Sequence, residues 1–250
     1  MLQNTTENNV WNEIGRDSFD FEHSMDVLHR KQTGSYYTDL ELTLAMMKEM
    51  VDSLSVEDKA ALYTKSFLEP CVGTGNFVFA YLRVCKELGF SSAQYKELID
   101  NIYVCDINKG ALEVYKKNLT QIAKTYFDID IEPGYFDSHI GSGLMIDVDE
   151  EKTRYIQIAD VFSQDIVKGG FDFVVTNPPY KNLKAERSHY QSDDLYDRDR
   201  NKYAAIGKLA SKLFPNSSVG TLNLYKMFVE EIMDKYLANN GVASLLIPFG

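Results

Sequence analysis

Asn177-Pro178-Pro179-Tyr180 follows directly on an apolar run, Phe171, Phe173, Val174 and Val175. The tetrapeptide combines a side-chain amide oxygen (Asn177), a main-chain carbonyl and an aromatic face (Tyr180). Proline locks φ, so Pro178 and Pro179 fix the direction of that carbonyl in advance. Two acceptors can take both hydrogens of a planar exocyclic amine and localise its lone pair while the ring of Tyr180 stacks on it. That chemistry makes a conjugated amino nitrogen nucleophilic. A proline-rich turn that closes a strand has the same composition, so the meaning of the tetrapeptide depends on its company.

Its company begins at Glu69-Pro70-Cys71-Val72-Gly73-Thr74-Gly75-Asn76-Phe77. Gly73 and Gly75 permit a tight turn and close approach of a ligand to the backbone. The carboxyl end of a strand is where open α/β sheets bind ligands. A dinucleotide fingerprint would place a third glycine at position 78, which is Val78, and no phosphate-binding lysine follows. An acidic residue before the turn suits a cationic, phosphate-free ligand such as S-adenosylmethionine. Asp106 ends a second predicted strand, where a carboxylate can accept from both ribose hydroxyls. Ile107 beside it can cover one adenine face. Asp160 ends a third predicted strand, ahead of Val161 and Phe162, and a carboxylate there can accept from an adenine amino group. Both aspartates are equally readable as helix caps.

These residues need a scaffold. Thr38-Asp39-Leu40-Glu41 has a capping-box pattern, with Thr38 as N-cap. Leu40, Leu44, Met47, Val51 and Leu54 then form one helical face. Strands are predicted over residues 65–70, 102–107, 155–159, 171–176 and 242–247. Helices are predicted over residues 77–88, with Gly89 as the stop, and over 109–124 and 222–237. Residues 127–153 read as irregular, with room for a hairpin. Alternation of strand and helix implies a parallel, doubly wound α/β sheet. Residues 1–30 read as an arm or short helices, with Trp11, Ile14, Phe19, Phe21 and Leu28 as docking points. Residues 181–220 read as a long polar insertion in the domain that spans residues 31–250.

The chain has 250 residues, 44% hydrophobic and 25% charged, which is ordinary globular composition. No stretch reaches the ~20 apolar residues of a membrane span, and the N-terminus lacks the regions of a signal peptide. Cys71, Cys85 and Cys105 have no CxxC spacing, which fits a reducing cytoplasm and no zinc site. His23, His29, His139 and His189 show no metal spacing either. The formal net charge of −11 weighs against a general affinity for phosphate. Basic residues do cluster in the insertion, as Lys181, Lys184, Arg187, Arg198, Arg200, Lys202, Lys208 and Lys212. Tyr190, Tyr196 and Tyr203 lie among them, with interspersed aspartates. This segment is readable as a DNA-contacting lid or as a solvated loop.

The order of motifs resembles the gamma arrangement of amino-group DNA methyltransferases, in the adenine-N6 branch, over nearly the whole chain from about residue 30. Arg30-Lys31-Gln32-Thr33-Gly34-Ser35-Tyr36-Tyr37-Thr38 resembles the leading cofactor segment, although Asp39 stands where that family usually has proline. Residues 69–77 resemble the glycine motif, Asp106 the ribose-binding acid, Asp160 the adenine-binding acid and residues 177–180 the catalytic motif. Residues 223–228 resemble the segment beside the cofactor. The resemblance implies a Rossmann-like class I fold and S-adenosyl-L-methionine as cofactor. It implies that Tyr37, Thr38, Glu69, Gly73, Gly75, Phe77, Asp106, Ile107, Asp160, Val161 and Asn177 line its site. It further implies that Asn177, Pro178 and Tyr180 act on an adenine flipped out of DNA.

The resemblance also implies a further strand and a target-recognition domain after Pro248. A longer restriction–modification protein, or a restriction or specificity subunit as partner, is the expected source of that domain. Two other readings stay open. One is a methyltransferase acting on an rRNA base or a protein glutamine, whose amide is also planar. The other is a non-catalytic partner subunit of a DNA-modification complex.

Overall fold

A computed structural model of the chain describes residues 2–25, 38–141, 145–148, 153–156 and 158–248. Helix α1 (Leu2–Ser24) is followed by α2 (Leu40–Asp52) and the short α3 (Val56–Ala60). Then come β1 (Phe67–Glu69), α4 (Asn76–Lys86), α5 (Ser92–Asp100), β2 (Ile102–Cys105) and α6 (Lys109–Phe127). The middle of the chain holds α7 (Pro133–His139), β3 (Ile140–Gly141), β4 (Met145–Val148), β5 (Thr153–Ile156), α8 (Ile158–Val161) and α9 (Gln164–Val167). The last part holds β6 (Phe171–Thr176), α10 (Asp193–Leu213), α11 (Leu224–Glu231), a π-helical turn (Ile232–Tyr236) and β7 (Leu237–Leu245).

Five strands form one sheet in the order β3-β2-β1-β6-β7, and each neighbouring pair is parallel. The chain therefore lays strands to one side of β1 and then returns to fill the other. The strand order reverses between β1 and β6, and the carboxyl ends of strands at such a switch point are where open α/β sheets bind ligands. Residues alternate between faces. Phe67, Ile102, Val104, Phe173 and Val175 pack with α2, α4, α5 and α6. Leu68, Cys105 and Val174 pack with Phe228, Ile232 and Tyr236 on the other face. Burying each large side chain is worth about 1.5–3 kcal/mol, so the sheet is a stiff platform. Asp172, at the opposite end of β6, accepts from the Ser66 amide at 2.9 Å and pairs with Lys65 at 3.2 Å.

Several sequence expectations change. Leu2–Ser24 is one helix, not an arm or short helices. Its inner face carries Val10, Trp11, Ile14 and Ser18, whereas Phe19 is exposed; Leu28 lies outside the described residues. The N-cap of α2 is Asp39, not Thr38; its carboxylate accepts from the Glu41 amide at 2.8 Å. A carboxylate one residue nearer the first turn wins that position. The third sheet strand is Ile140–Gly141. The segment expected as that strand instead supplies β5, the second arm of an antiparallel hairpin with β4, and Asp160 lies in α8. The insertion contains a 21-residue helix, α10, whose Ile206, Ala210 and Phe214 pack against Met227 of α11. The solvated-loop reading is therefore wrong. Helix α5 was not anticipated; Ser91 and Gln94 close it with a reciprocal capping box.

Candidate active site

The glycine turn connects β1 to α4 at the centre of the sheet. Gly73 has φ +55° and Gly75 has φ +103°, both in the left-handed region. A Cβ on Gly75 would lie 2.6 Å from Tyr115 Cδ2 and 2.7 Å from the Phe79 ring. The turn thus needs glycine for conformation and for space. Gly75→Ala is expected to destabilise the chain by roughly 2–3 kcal/mol, from strain plus overpacking. A melting temperature within 1–2 °C of wild type, about what a negligible change would give, would contradict this geometry.

Two carboxylates flank the turn. Glu69 closes β1 and is 1% exposed. Its Oε2 is buried with no hydrogen-bond partner among the described residues. Burial, and then the charge of Asp106, push its carboxyl well above the usual carboxylate range. Asp106 follows β2, and each of its oxygens is held by a backbone amide. Gly73 N donates to Oδ2 at 2.7 Å and Asn108 N to Oδ1 at 2.7 Å. Burial pushes its carboxyl above the usual carboxylate range, and the amides of Asn108, Gly73 and Ile107 work against that rise. Ile107 is 43% exposed, an uncovered apolar side chain beside this carboxylate. Cys71 is a poor nucleophile, because burial and then Asp106 push its thiol well up.

Beside β1, β6 ends in Thr176 and delivers Asn177. Asn177 Nδ2 donates to Thr38 Oγ1 at 2.9 Å, which turns the amide oxygen away from Thr38, and that oxygen is withdrawn from solvent. Pro178 is buried. Tyr180 is half-buried, and its hydroxyl donates to the Leu246 carbonyl at 2.8 Å. Its ring meets Tyr225 of α11 edge to face, with centroids 6.2 Å apart. The Tyr180 hydroxyl therefore orients the ring, a task invisible in the sequence.

Glu69, Gly73, Gly75, Asp106, Ile107, Thr38 and Asn177–Tyr180 thus fall at the carboxyl ends of β1, β2 and β6, while Phe77 packs into the core behind the turn. Tyr37 lies outside the described residues. Asp160 and Val161 lie in α8, not at the end of a strand. Val161 sits so close to Gly141 that a Cβ there would overlap it. Asp160 is exposed. Two polar residues hydrogen-bonded beside the turn escaped sequence reasoning, namely Ser18 and Asn76. The pattern GTGN-F offered a signal for Asn76, but nothing marked Ser18. Among the described residues there is no cluster of His, Cys, Asp or Glu able to hold a metal ion. No described helix is long and apolar enough to cross a membrane.

A parallel sheet with a glycine turn after its central strand, and acids at neighbouring strand ends, defines the class I S-adenosylmethionine-dependent methyltransferase fold. Residues 100–250 match the family described as Eco57I restriction-modification methylase, and the chain belongs to that family. Its cofactor is S-adenosyl-L-methionine. Similar solved structures include the DrdV–DNA complex, with a TM-score of 0.58 and 14% identity over 90% of this chain and 21% of that one. They also include the ATP-dependent Type ISP restriction-modification enzyme LlaBIII bound to DNA, with a TM-score of 0.54 and 16% identity over 84% of this chain and 15% of that one. The Type IIL restriction-modification enzyme MmeI in complex with DNA gives 0.50 and 13%, over 92% of this chain and 32% of that one. At these identities the likeness is one of fold, and the chain spans a third or less of the length of each of these structures. No match was found among curated proteins.

The residues present fit the cofactor. The Oε2 atom of Glu69 lacks a partner in a buried position, which a cationic group would supply. Gly73 and Gly75 carry no side chain to obstruct a ligand, and Thr74 between them is buried with its hydroxyl on Ser18. Nothing basic in the turn would suit a phosphate.

Proposed function

We propose that the chain is the catalytic unit of an adenine-specific DNA methyltransferase of a restriction–modification system, acting on the N6 amine of a flipped adenine. The observation that carries this reading is the meeting of the Glu69–Asp106 carboxylate pair with Asn177-Pro178-Pro179-Tyr180 at one sheet edge. When bound, S-adenosyl-L-methionine supplies an electrophilic methyl group. Glu69 answers its amino end, Asp106 accepts from its ribose hydroxyls, and Ile107 covers its adenine. Thr38, Phe77, Asp160 and Val161 complete the wall.

The residues of the tetrapeptide act on the other substrate. Asn177 Oδ1 and the Pro178 carbonyl accept from the two amine hydrogens, so positive charge that builds on the nitrogen meets fixed dipoles. Removal from solvent strengthens that effect. Unstacking an adenine from the duplex costs roughly a few kcal/mol, and stacking on Tyr180 returns about 1–3 kcal/mol. Residues 181–220 supply the surface for the DNA strand. Lys181 lies 5.5 Å from the Tyr203 ring centroid, and Arg187 and Arg200 lie over Tyr196 at 5.9 and 5.8 Å. Burial lowers the Lys181 ammonium, with Asp199 opposing, so an added phosphate would find a poorly solvated cation ready to pair.

The test is transfer of labelled methyl groups to DNA, followed by nucleoside analysis. Label in N6-methyladenine supports the reading. Label confined to RNA or protein would replace it, and cofactor binding without any transfer would favour a non-catalytic subunit. Asp106→Ala is expected to weaken cofactor binding by about 1–3 kcal/mol, because charged-acceptor hydrogen bonds are lost. The same change frees the amides of Gly73 and Asn108, so the turn should loosen as well. Calorimetry that finds equal affinities would remove Asp106 from the ribose site.

A further inference from the structure

We propose that Ser18, on the N-terminal helix, is a positioning residue for Asn177 and acts through a buried hydrogen-bond relay. This inference rests on the reading of Asn177 as an acceptor for the target amine. Thr74 Oγ1 donates to Ser18 Oγ at 2.8 Å, and Ser18 Oγ donates to Asn76 Oδ1 at 2.9 Å. Asn76 Nδ2 donates to the Thr38 carbonyl at 2.7 Å, and Asn177 Nδ2 donates to Thr38 Oγ1 at 2.9 Å. The relay joins α1, the glycine turn, the segment before α2 and the end of β6.

One group fixes its direction. The Thr38 carbonyl can only accept, so the Asn76 amide must face it with Nδ2. That leaves Asn76 Oδ1 toward Ser18, so Ser18 must donate. The Ser18 oxygen is then the acceptor for Thr74. The three bonds from Thr74 to the Thr38 carbonyl run head to tail and polarise one another, whereas Thr38 Oγ1 accepts separately from Asn177, a link of position alone. Ser18, Thr74 and Asn76 are 5%, 1% and 9% exposed, so water is a poor substitute for a missing member.

Helix α1 is built to hold Ser18 still. Its inner face is apolar at Val10, Trp11 and Ile14 and becomes polar at Ser18, one turn later, where it meets the glycine turn. Asp17 pairs with Lys117 at 2.7 Å, and Glu13 accepts from Gln121 at 2.8 Å. Trp11 packs edge-on against Tyr126. Further along, Phe21 lies against Gly110, and Asn108 Nδ2 reaches Met25 Sδ at 3.6 Å. The helix is therefore seated from the flank of α6 to the cap next to Asp106. In this arrangement the hydroxyl of Ser18 sets Asn76, Asn76 sets Thr38, and Thr38 holds the donor end of Asn177 so that its acceptor end stays aimed at the amine.

The experiment uses the whole chain with 15N-asparagine labelling, Asn177→Asp being used to assign the Asn177 side-chain amide. Ser18→Ala should speed solvent exchange of that amide about tenfold, while the Asn101 amide, bonded to the Tyr63 carbonyl at 3.1 Å, stays unchanged. Asn76→Asp keeps the acceptor for Ser18 and removes the donor to Thr38, so it should act in the same way even if Ser18→Ala folds poorly. In methyl transfer, Ser18→Ala should lower kcat about tenfold with KM for the cofactor within about twofold. Wild-type exchange at Asn177 in both variants, or an unchanged kcat in Ser18→Ala, would overturn the relay. If Asn177→Ala itself retained its kcat, the reading of Asn177 would fail instead, and the two failures are thereby told apart.

Discussion

Asn177→Ala is expected to lower kcat for methyl transfer by ~10²–10³-fold while leaving cofactor affinity within about twofold. Loss of one preorganised dipole aimed at developing charge has effects of about this size. In the proposed reaction the charge on the amine builds only as the new bond forms, so binding should change little. The structure adds a control. Asn177 also donates to Thr38 Oγ1 at 2.9 Å, so the variant should lose about 1 kcal/mol of stability. Its melting temperature must be checked before the kinetics are read. A folded variant that kept most of its kcat would make Asn177 a structural residue. A variant with unchanged kcat but weaker cofactor binding would move Asn177 to the cofactor side.

The central part of the fold was legible because each element there agrees with its own pattern. Phe171–Thr176 is an apolar run of strand length, and Asn-Pro-Pro-Tyr follows it without interruption. The glycine turn was legible because Gly73 and Gly75 do what only glycine can do. The errors fall where local pattern and tertiary context disagree. The segment at 155–159 is largely apolar and of strand length, yet the seat beside β2 belongs to Ile140 and Gly141. A two-residue strand has no period to read. Helix α10 hides its inner face, Ile206, Ala210 and Phe214, among charges that suggest a loop. Helix α1 was obscured because the buried face ends in a serine. Ser18 meets Thr74 and Asn76 across 56 and 58 residues of chain, and hydrophobic periodicity carries no record of such a contact.

Glu69→Gln is expected to separate stability from cofactor binding in opposite directions. In the ligand-free chain, burial and then Asp106 hold the Glu69 carboxyl well above the usual carboxylate range. Between the ordinary value and the raised one, the folded state binds more protons than the unfolded state. Stability therefore falls as pH rises through that window, and the loss persists above it. Glutamine carries no charge to desolvate, so the variant should escape the loss. At pH ~8 it should be more stable than wild type by about 1–2 kcal/mol, or some 2–8 °C in melting temperature. Asp106 is also raised by burial, but it is present in both proteins, so the difference isolates Glu69. The cofactor reverses the sign. A cation placed against Glu69 favours the carboxylate, so wild-type affinity should rise with pH across the same window. The variant should lack that rise and bind roughly a hundredfold more weakly at pH ~8, because removing one partner of a buried pair is costly. The two affinities should converge toward acid pH, where Glu69 is protonated in the free protein. Calorimetry from pH ~5 to ~8, paired with thermal unfolding without cofactor, measures both effects. Equal affinity at the alkaline end would mean that no cation meets Glu69. A less stable variant at the alkaline end would mean that the Glu69 carboxylate is already compensated within the chain.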